Sequence, residues 1–440
     1  MSALERLRIW LRPDKIHKLQ LTNLFSEVVV AFMKILSGQL ARSYKTKALE
    51  DDFKAHYQAK HAIIFPHART ALHFILKSLE LEKGDEVLMA PLTIADMINS
   101  IHSLGLKPVF LDIELDTICI DVEQLEKCIT PRSKVLFVTY LCGLVPNIEK
   151  IIEVGRKYNL TIIEDCSQCY NGLYNGRLVG TFGDAAILTL TNFKVCSSLF
   201  GGMIVTNNDK LAERLYDFRE TALLPPQPSV LLKHATKNLI YTVLFSKWAF
   251  SYFTYFIVLI LEKLDPRITY RLYSGNINVV LGKSENMLVS EFPPGYVGDY
   301  TEAQAYVGLC SLSRAEESTG ARIKHGELMR KLLHDINQIQ LPAKLEGAVN
   351  VYWRFPLCSN DREGLKRYLL DHGIDSSATY LCLCSQEPAF KVYHAPTPQA
   401  EKWKQTVLLL EVHEAISEDT IRYMASVIRS YFERRGNDVH

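Results

Sequence analysis

A single lysine, Lys194, ends an apolar, β-branched stretch that reads ILTLTNFKVCSSLFGG over residues 187–202. An amine in that place is either a solvated lysine in a surface turn or a nucleophile kept for covalent chemistry. Two other features bear on this choice. The run LTIIED ends in Asp165, and the turn PHARTALHF leads from the apolar run HAIIF directly into a helical pattern. An amine, a carboxylate and a helix N-terminus are therefore the first candidates for chemistry.

These features belong to a region, residues 60–210, in which short strand-like runs alternate with amphipathic helical segments. Such alternation predicts a largely parallel sheet with helices on both faces. The carboxyl ends of parallel strands meet at one edge of the sheet, and ligands bind there in folds of this type. We therefore expect Asp165, Lys194 and the helix that begins in HARTAL (67–72) to lie together at that edge.

Each member of this set suits pyridoxal 5′-phosphate (PLP). A lysine forms a Schiff base with the PLP aldehyde. A carboxylate opposite the pyridine nitrogen keeps that nitrogen protonated, which makes the ring an electron sink. The backbone N–H groups at a helix N-terminus hold a phosphate dianion. No one of these signals is specific alone, whereas their order and spacing predict a PLP-binding domain.

The sequence resembles the DegT/DnrJ/EryC1/StrS (DegT/StrS-type) family of PLP-dependent sugar aminotransferases, within fold type I. The resemblance covers residues 42–430 apart from an apolar stretch. It is carried by HARTAL (67–72), APLTIADMINSI (90–101), EDCSQ (164–168), TLTNFKVCSSLFGG (189–202) and PGYVGDYTEAQAYVGLCSL (294–312). It implies an α/β fold in which a large PLP-binding domain surrounds a mainly parallel central sheet covered by helices. A smaller α/β domain follows at the C-terminus.

The resemblance also implies a role for each site residue. Lys194 would carry the Schiff base and move the proton during transamination, and Asp165 would pair with the pyridine nitrogen. Gln168 would contact the cofactor ring or its phenolic oxygen, and Thr189 stands where the family has a phosphate-binding serine. The remaining cofactor-binding positions, in the phosphate turn and at the ring face, are Arg69, Thr70 and Ile94.

Several positions depart from the family pattern. Ile94 stands where the family commonly has Phe or Trp on the cofactor ring. Leu199 and Phe200 replace a glycine and an acid. Residues 297–299 replace an Asn-Tyr-Arg set that normally reaches the phosphate from the neighbouring subunit. We therefore expect the cofactor scaffold to be kept and the substrate side and subunit contact to differ.

A long apolar stretch, LIYTVLFSKWAFSYFTYFIVLIL, covers residues 239–261 and has Lys247 as its only charge. About 20 apolar residues suffice to cross a bilayer. One crossing would place Lys194 and the C-terminal domain on opposite sides of the membrane, so we expect a monotopic insertion, a re-entrant hairpin or a buried oligomer interface. The N-terminal segment, with Leu4, Leu7, Trp10 and Leu11 on one helical face, is typical of an interfacial anchor and equally of a surface helix.

The composition narrows the classes of partner. The 440 residues carry a formal net charge of +1, which argues against nucleic acid as the main partner. The ten cysteines are scattered. The lone Cys166-x-x-Cys169 pair lacks the four ligands of a zinc site, so we expect no metal. With no cleavable secretory signal visible, we expect a cytoplasmic protein, attached to the cytoplasmic face of the inner membrane if 239–261 and the N-terminus bind lipid.

We expect five segments along the chain. They are an N-terminal amphipathic extension (1–41), the large PLP-binding domain (42–220), an apolar insertion (221–285), a linker helix with an interface segment (286–335) and the small C-terminal domain (336–440).

The resemblance predicts an aminotransferase that moves an amino group from glutamate or glutamine to a keto-sugar through Lys194. The keto-sugar would be nucleotide-linked or part of a surface-glycan pathway, and the enzyme a homodimer with shared active sites. Two alternatives stay open. A PLP-dependent dehydratase of the same fold usually has histidine at this lysine, so Lys194 argues against it. A membrane-associated scaffold without turnover is supported only by the departures at 199–200 and 297–299.

Overall fold

The computed structural model describes residues 9, 11–17, 21–264, 287–379 and 381–437. Its strands, in chain order, are β1 (His61–Phe65), β2 (Glu86–Met89), β3 (Leu92–Thr93), β4 (Lys107–Phe110), β5 (Ile113–Glu114), β6 (Cys119–Ile120), β7 (Ser133–Thr139), β8 (Thr161–Asp165), β9 (Leu173–Tyr174), β10 (Arg177–Leu178), β11 (Ala185–Thr189), β12 (Gly202–Thr206), β13 (Ile339–Gln340), β14 (Ala348–Val349), β15 (Phe355–Ser359), β16 (Cys382–Leu383) and β17 (Val407–Leu410).

The α-helices follow the amphipathic segments between these strands. They are α1 (Phe25–Leu36), α2 (Tyr44–Tyr57), α3 (Ala68–Ser78), α4 (Ala95–His102), α5 (Val122–Cys128), α6 (Ile148–Lys157), α7 (Asp209–Thr221), α8 (Pro228–Leu244), α9 (Lys247–Ala249), α10 (Tyr255–Leu264), α11 (Glu302–Leu312), α12 (Ala315–Leu333), α13 (Arg362–Asp371), α14 (Pro398–Thr406) and α15 (Glu418–Asn437). A π-helical turn, Phe250–Thr254, joins α9 to α10.

Seven strands form the central sheet, in the order β1-β12-β11-β8-β7-β2-β4. Five neighbouring strands are parallel to one another, namely β11, β8, β7, β2 and β4. Strand β12 is antiparallel to both of its neighbours, β1 and β11. The strands are buried along nearly their whole length because helices cover both faces, so their sequences are continuous apolar runs without alternation. The predicted fold class, a mainly parallel sheet of fold type I, is confirmed.

The two faces of the sheet pack into two separate hydrophobic cores. Leu136 and Ile162 face one core, and the next residues along the same strands, Phe137 and Ile163, face the other. This alternation follows from the two-residue period of a strand. It fixes the register in which Asp165, the last residue of β8, lies beside β11.

The C-terminal part forms a smaller unit around the antiparallel sheet β13-β15-β17, against which α13 packs. Two short strand pairs join it to the large domain. β16 pairs with β3, with Leu383 opposite Leu92, and β14 pairs with β9. The β3–β16 pair brings the small unit next to Ile94, which directly follows β3 in the chain.

The described part of the predicted apolar insertion forms a bent pair of helices. No single helix within the described ranges is long and apolar enough to cross a membrane, but Pro228–Leu244 and Lys247–Glu262 pass that test as a pair bent by 63°. Helix α8 packs on α1. The end of the predicted insertion, 265–285, and most of the predicted N-terminal amphipathic face lie outside the described residues.

Candidate active site

Lys194 lies in the loop that joins β11 to β12, and its side chain is buried. Its Nζ atom stands over the ring of Trp353, 3.7 Å from the ring centroid. Burial lowers the pKa of Lys194 to about 7, and Asp165 opposes that shift through its negative charge. Among the described residues we find no hydrogen bond to Nζ, so the amine is available for chemistry.

Asp165 is buried at the carboxyl end of β8. Its carboxylate accepts the backbone N–H of Ser167 at 3.0 Å. Burial raises the pKa of Asp165, while the hydrogen bonding of Ser167 and the charge of Lys194 act in the opposite direction. A cation beside this carboxylate would favour its ionised form, which is the relation that a protonated pyridine nitrogen requires.

The N-terminus of α3 approaches the strand that follows the lysine loop. Its N-cap residue, His67, is extended and provides no side-chain cap, so the first N–H groups of the helix are not satisfied by its own cap. A Cβ atom at Gly202 would overlap with backbone atoms of His67 and Ala68. Glycine at this position therefore permits the close contact between the helix start and β12, and the helix dipole favours an anion there.

The side chains of Arg69 and Thr70 contact a neighbouring segment, Pro294–Tyr296. The Arg69 guanidinium pairs with Asp96 and lies 4.6 Å from the centroid of the Tyr296 ring. The Thr70 hydroxyl donates to the Tyr296 carbonyl oxygen at 2.7 Å. The backbone N–H groups would therefore be the main contacts of a phosphate at this helix start, because the Arg69 guanidinium is already paired with Asp96.

The other predicted cofactor-binding residues lie near the lysine. Gln168, Thr189, Lys194 and Trp353 line one small cavity of about 10 Å³. The Gln168 Oε1 atom accepts the backbone N–H of Cys142 at 2.8 Å. A cavity of this size holds about one water molecule, so a larger group that enters must displace side chains. Ile94 is the N-cap residue of α4 and packs against both cores.

Trp353 is a site residue that the sequence analysis missed. Its indole Nε1 donates to the Phe193 carbonyl oxygen at 2.7 Å, beside the lysine, and its own carbonyl oxygen accepts from Arg322 at 2.6 Å. The sequence predicts only that Trp353 belongs to the small C-terminal domain (336–440). The contact joins residues far apart in the chain, so no local spacing could indicate it.

The residues that depart from the family pattern contact other residues of the same chain. Phe200 is buried, with its ring stacked on His67 and tilted against His234 of α8. Leu199 packs in the same cluster with residues of α1 and α8. In the segment 297–299, Val297 accepts the N–H of Leu224, and the Asp299 carboxylate accepts from Arg42 Nε at 2.9 Å. The apolar replacements thus form a core beneath the insertion.

The Cys166-x-x-Cys169 pair consists of two buried free thiols. Burial raises the pKa of both, which disfavours the thiolate form that metal binding or redox chemistry needs. Within the described part of the chain, no group of three or more His, Cys, Asp and Glu side chains could hold a metal ion.

These residues fit PLP by their chemistry. The structure places a buried amine with a lowered pKa near a buried carboxylate, and an uncapped helix start rests on a glycine of the strand after the amine. The amine matches the aldehyde of PLP, the carboxylate matches its pyridine nitrogen, and the helix start matches its phosphate.

Comparisons with known proteins agree with this assignment. The sequence profile of the DegT/DnrJ/EryC1/StrS aminotransferase family matches residues 24–233 and 274–429. A pleiotropic regulatory protein of Geobacillus stearothermophilus is 24% identical over 426 residues, which is 94% of this chain and 98% of that protein.

Solved aminotransferase structures share the fold. The aminotransferase TlmJ from Streptoalloteichus hindustanus superposes with a TM-score of 0.73 at 19% identity, covering 96% of this chain and 99% of TlmJ. DesI, solved in the presence of its TDP-sugar product, gives 0.69 at 20% identity, with 97% and 96% covered. Together with the family match, the chain thus belongs to the DegT/DnrJ/EryC1/StrS aminotransferase family and is a PLP-dependent transaminase of fold type I.

Proposed function

We propose that this chain transfers an amino group from glutamate or glutamine to a nucleotide-linked keto-sugar, with the cofactor held covalently by Lys194. The observation that carries the proposal is the buried Lys194 amine, whose pKa is lowered to about 7. It lies at the same sheet edge as Asp165 and the N-terminus of α3.

When bound, PLP supplies an aldehyde to the amine and a ring that delocalises the negative charge formed at the donor carbon. Lys194 Nζ, whose lowered pKa favours the neutral amine, would hold the aldehyde covalently. Once the amine of the donor has displaced it, the freed Nζ would take a proton from the donor carbon and return it during transfer. The Asp165 carboxylate would keep the ring nitrogen protonated through its negative charge. The first N–H groups of α3 orient the phosphate, and Trp353 shields Nζ from water.

The keto-sugar and its nucleotide are supported by family membership and by DesI, which was solved in the presence of its TDP-sugar product. Glutamate or glutamine as the donor is supported by the chemistry of transamination, which needs a primary amine on a carbon with an acidic hydrogen. A homodimer with shared active sites is proposed from the family resemblance. In this chain residues 297–299 make contacts with Leu224 and Arg42 of the same chain, so a phosphate contact from a partner would need other residues.

The test is amino transfer by the purified full chain. We expect glutamate to be converted to 2-oxoglutarate while one member of a panel of nucleotide-linked keto-sugars gains an amino group, as detected by mass spectrometry. Lys194→Gln should lower turnover by about 10²–10⁴-fold or more, because the proton carrier is lost.

The matched control is Lys15→Gln. Lys15 is also buried and its pKa is lowered to about 8, but its Nζ donates to the carbonyl oxygens of Arg12 and Ser251 at 2.8 Å. We expect this variant to keep amino transfer once its folding is confirmed. Turnover that survives in Lys194→Gln would refute the proposed role of Lys194.

A further inference from the structure

The bent helix pair of residues 228–264 exposes apolar side chains. Phe253, Ile257, Ile260 and Leu264 follow one another at spacings of four, three and four residues, which places them on one stripe of the helix. Their exposed fractions are 72%, 56%, 58% and 73%. Exposed apolar patches of this kind mark interaction sites on protein surfaces.

The other arm and the bend also expose apolar side chains. Ile240, Val243 and Leu244 are exposed on the last turns of α8. At the bend, Trp248 is 66% exposed and stacks on Tyr252, with ring centroids 5.7 Å apart. We call the exposed side chains of residues 240–264 the outer face. It presents aliphatic side chains on both arms and two amphipathic aromatic rings between them, which is the composition found at bilayer interfaces.

The inner side of the bent helix pair is fixed to the protein. Phe250 and Tyr255 are buried with Leu370 of α13, whose carbonyl oxygen accepts the Tyr255 hydroxyl at 2.5 Å. Glu262 pairs with Lys366 of α13 at 3.2 Å. A segment anchored in this way cannot leave the protein to span a bilayer, yet it can lie on one with its outer face.

The charge of the segment identifies the surface that it fits. Residues 221–261 contain three lysines, Lys233, Lys237 and Lys247, and no Asp or Glu. Lys233 and Lys247 are exposed. In an isologous contact these lysines would meet the same segment of the other copy, which has no Asp or Glu between residues 221 and 261. An anionic lipid surface supplies the missing negative charge.

The outer face belongs to a part of the chain that the family profile does not match. The family profile leaves residues 234–273 unmatched, and these include the whole outer face. Transamination therefore does not account for its apolar side chains. An added segment with an anchored inner side and an apolar, basic outer side has the features of a monotopic membrane contact.

We propose that the outer face docks this protein on an anionic lipid bilayer as a monotopic attachment, parallel to the membrane plane. Ile257 and Phe253 enter the acyl boundary, Trp248 and Tyr252 lie at the headgroup level, and the lysines contact anionic headgroups. The attachment is independent of the Lys194 chemistry, so it stands whether or not the proposed substrate is right.

The experiment is co-sedimentation of the full-length protein with vesicles of phosphatidylcholine alone and of phosphatidylcholine with an equal part of phosphatidylglycerol. We expect stronger binding to the anionic vesicles and a loss of that excess at high salt. The double variant Phe253→Glu with Ile257→Glu should lower the partition coefficient about tenfold or more, because two apolar side chains no longer leave water.

The matched control is Val392→Glu, since Val392 is 72% exposed but lies in the segment Pro388–Tyr393 of the small unit. It should bind vesicles like the unchanged protein, and circular dichroism checks that all variants fold. The proposal is overturned if the unchanged protein binds neither vesicle, or if the double variant binds as well as the control. It is equally overturned if light scattering shows a dimer that only the double variant loses, because the outer face is then a contact between copies.

Discussion

The buried amine of Lys194 acquires its reactivity from its surroundings. An exposed lysine is protonated at neutral pH, whereas burial beside Trp353 brings the Lys194 pKa to about 7. The ring face of Trp353 attracts a cation and so limits how far the amine is pushed towards its neutral form. Asp165 acts in the same direction as Trp353 through its negative charge.

This environment predicts the pH dependence of cofactor attachment. The neutral amine is the nucleophile, so the rate at which PLP binds to Lys194 should rise about tenfold per pH unit below pH 7 and level off above it. Stopped-flow absorbance at the PLP band measures this rate. A profile that keeps rising towards the ordinary lysine pKa of 10.5 would contradict the lowered value.

The same shift has a consequence for stability. Between the folded pKa of about 7 and the ordinary value of 10.5, the unfolded chain holds a proton at Lys194 that the folded chain has lost. The contribution of this group to the free energy of unfolding therefore rises with pH across that window. Burial of Lys194 is most costly below pH 7, where the folded protein must hold the charge.

At the residue scale, the sequence predicted the positions that follow a strand or begin a helix. Lys194, Asp165 and the HARTAL turn were placed together because parallel strands end at one edge. Trp353 was not predicted because its place over Lys194 depends on how the small unit docks on the large domain. The pairing of Arg69 with Asp96 was also beyond the sequence, since it depends on the packing of α3 against α4.

At the scale of elements, the contact between α3 and β12 is the one on which the site depends. The N-terminus of α3 comes so close to Gly202 that a side chain there would overlap with the backbone of His67 and Ala68. Glycine is needed at position 202 because a side chain would overlap with backbone atoms, and not because the backbone there needs extra conformational freedom. The loop from Lys194 returns to β12 directly beside it, with Leu190 donating to the Gly201 carbonyl oxygen at 2.9 Å.

Gly202→Ala tests this contact. We expect it to lower the free energy of unfolding by about 1–3 kcal/mol through overpacking and to weaken PLP binding, because the helix start must move away. Urea unfolding and a PLP titration measure the two effects. Gly320→Ala is the control, since Gly320 lies in α12 with no atom near its position and should stabilise the helix by up to about 1 kcal/mol. Unchanged stability and affinity in Gly202→Ala would refute the steric account.

The elements that the sequence predicted are the long, buried ones. The run HAIIF forms β1 over its predicted length, and LTIIED ends in β8. The two-residue strands β3 and β16 carry no period in the sequence, since they form only where the two domains meet. The sequence predicts the apolar stretch 239–261 as one segment, but in the structure the helix ends at Leu244. The Leu244 carbonyl oxygen accepts the Thr254 hydroxyl at 2.7 Å.

At the scale of the whole molecule, three parts of the chain converge on Lys194. The large domain supplies the amine and Asp165, the small unit supplies Trp353, and the insertion packs through α8 on Phe200 beside the start of α3. The fold class followed from alternating strands and helices. The arrangement of the insertion did not, because it results from contacts with α1 and α13 that are remote in sequence.

The central claim is that Lys194 binds the cofactor covalently, and one measurement tests it most directly. The full-length protein is incubated with PLP, reduced with borohydride and digested, and the modified peptide is identified by mass spectrometry. We predict a single phosphopyridoxyl group on Lys194, absent from Lys194→Gln and present in Lys15→Gln. A protein that carries no such group, or carries it on another lysine, would contradict the account and favour a non-catalytic scaffold.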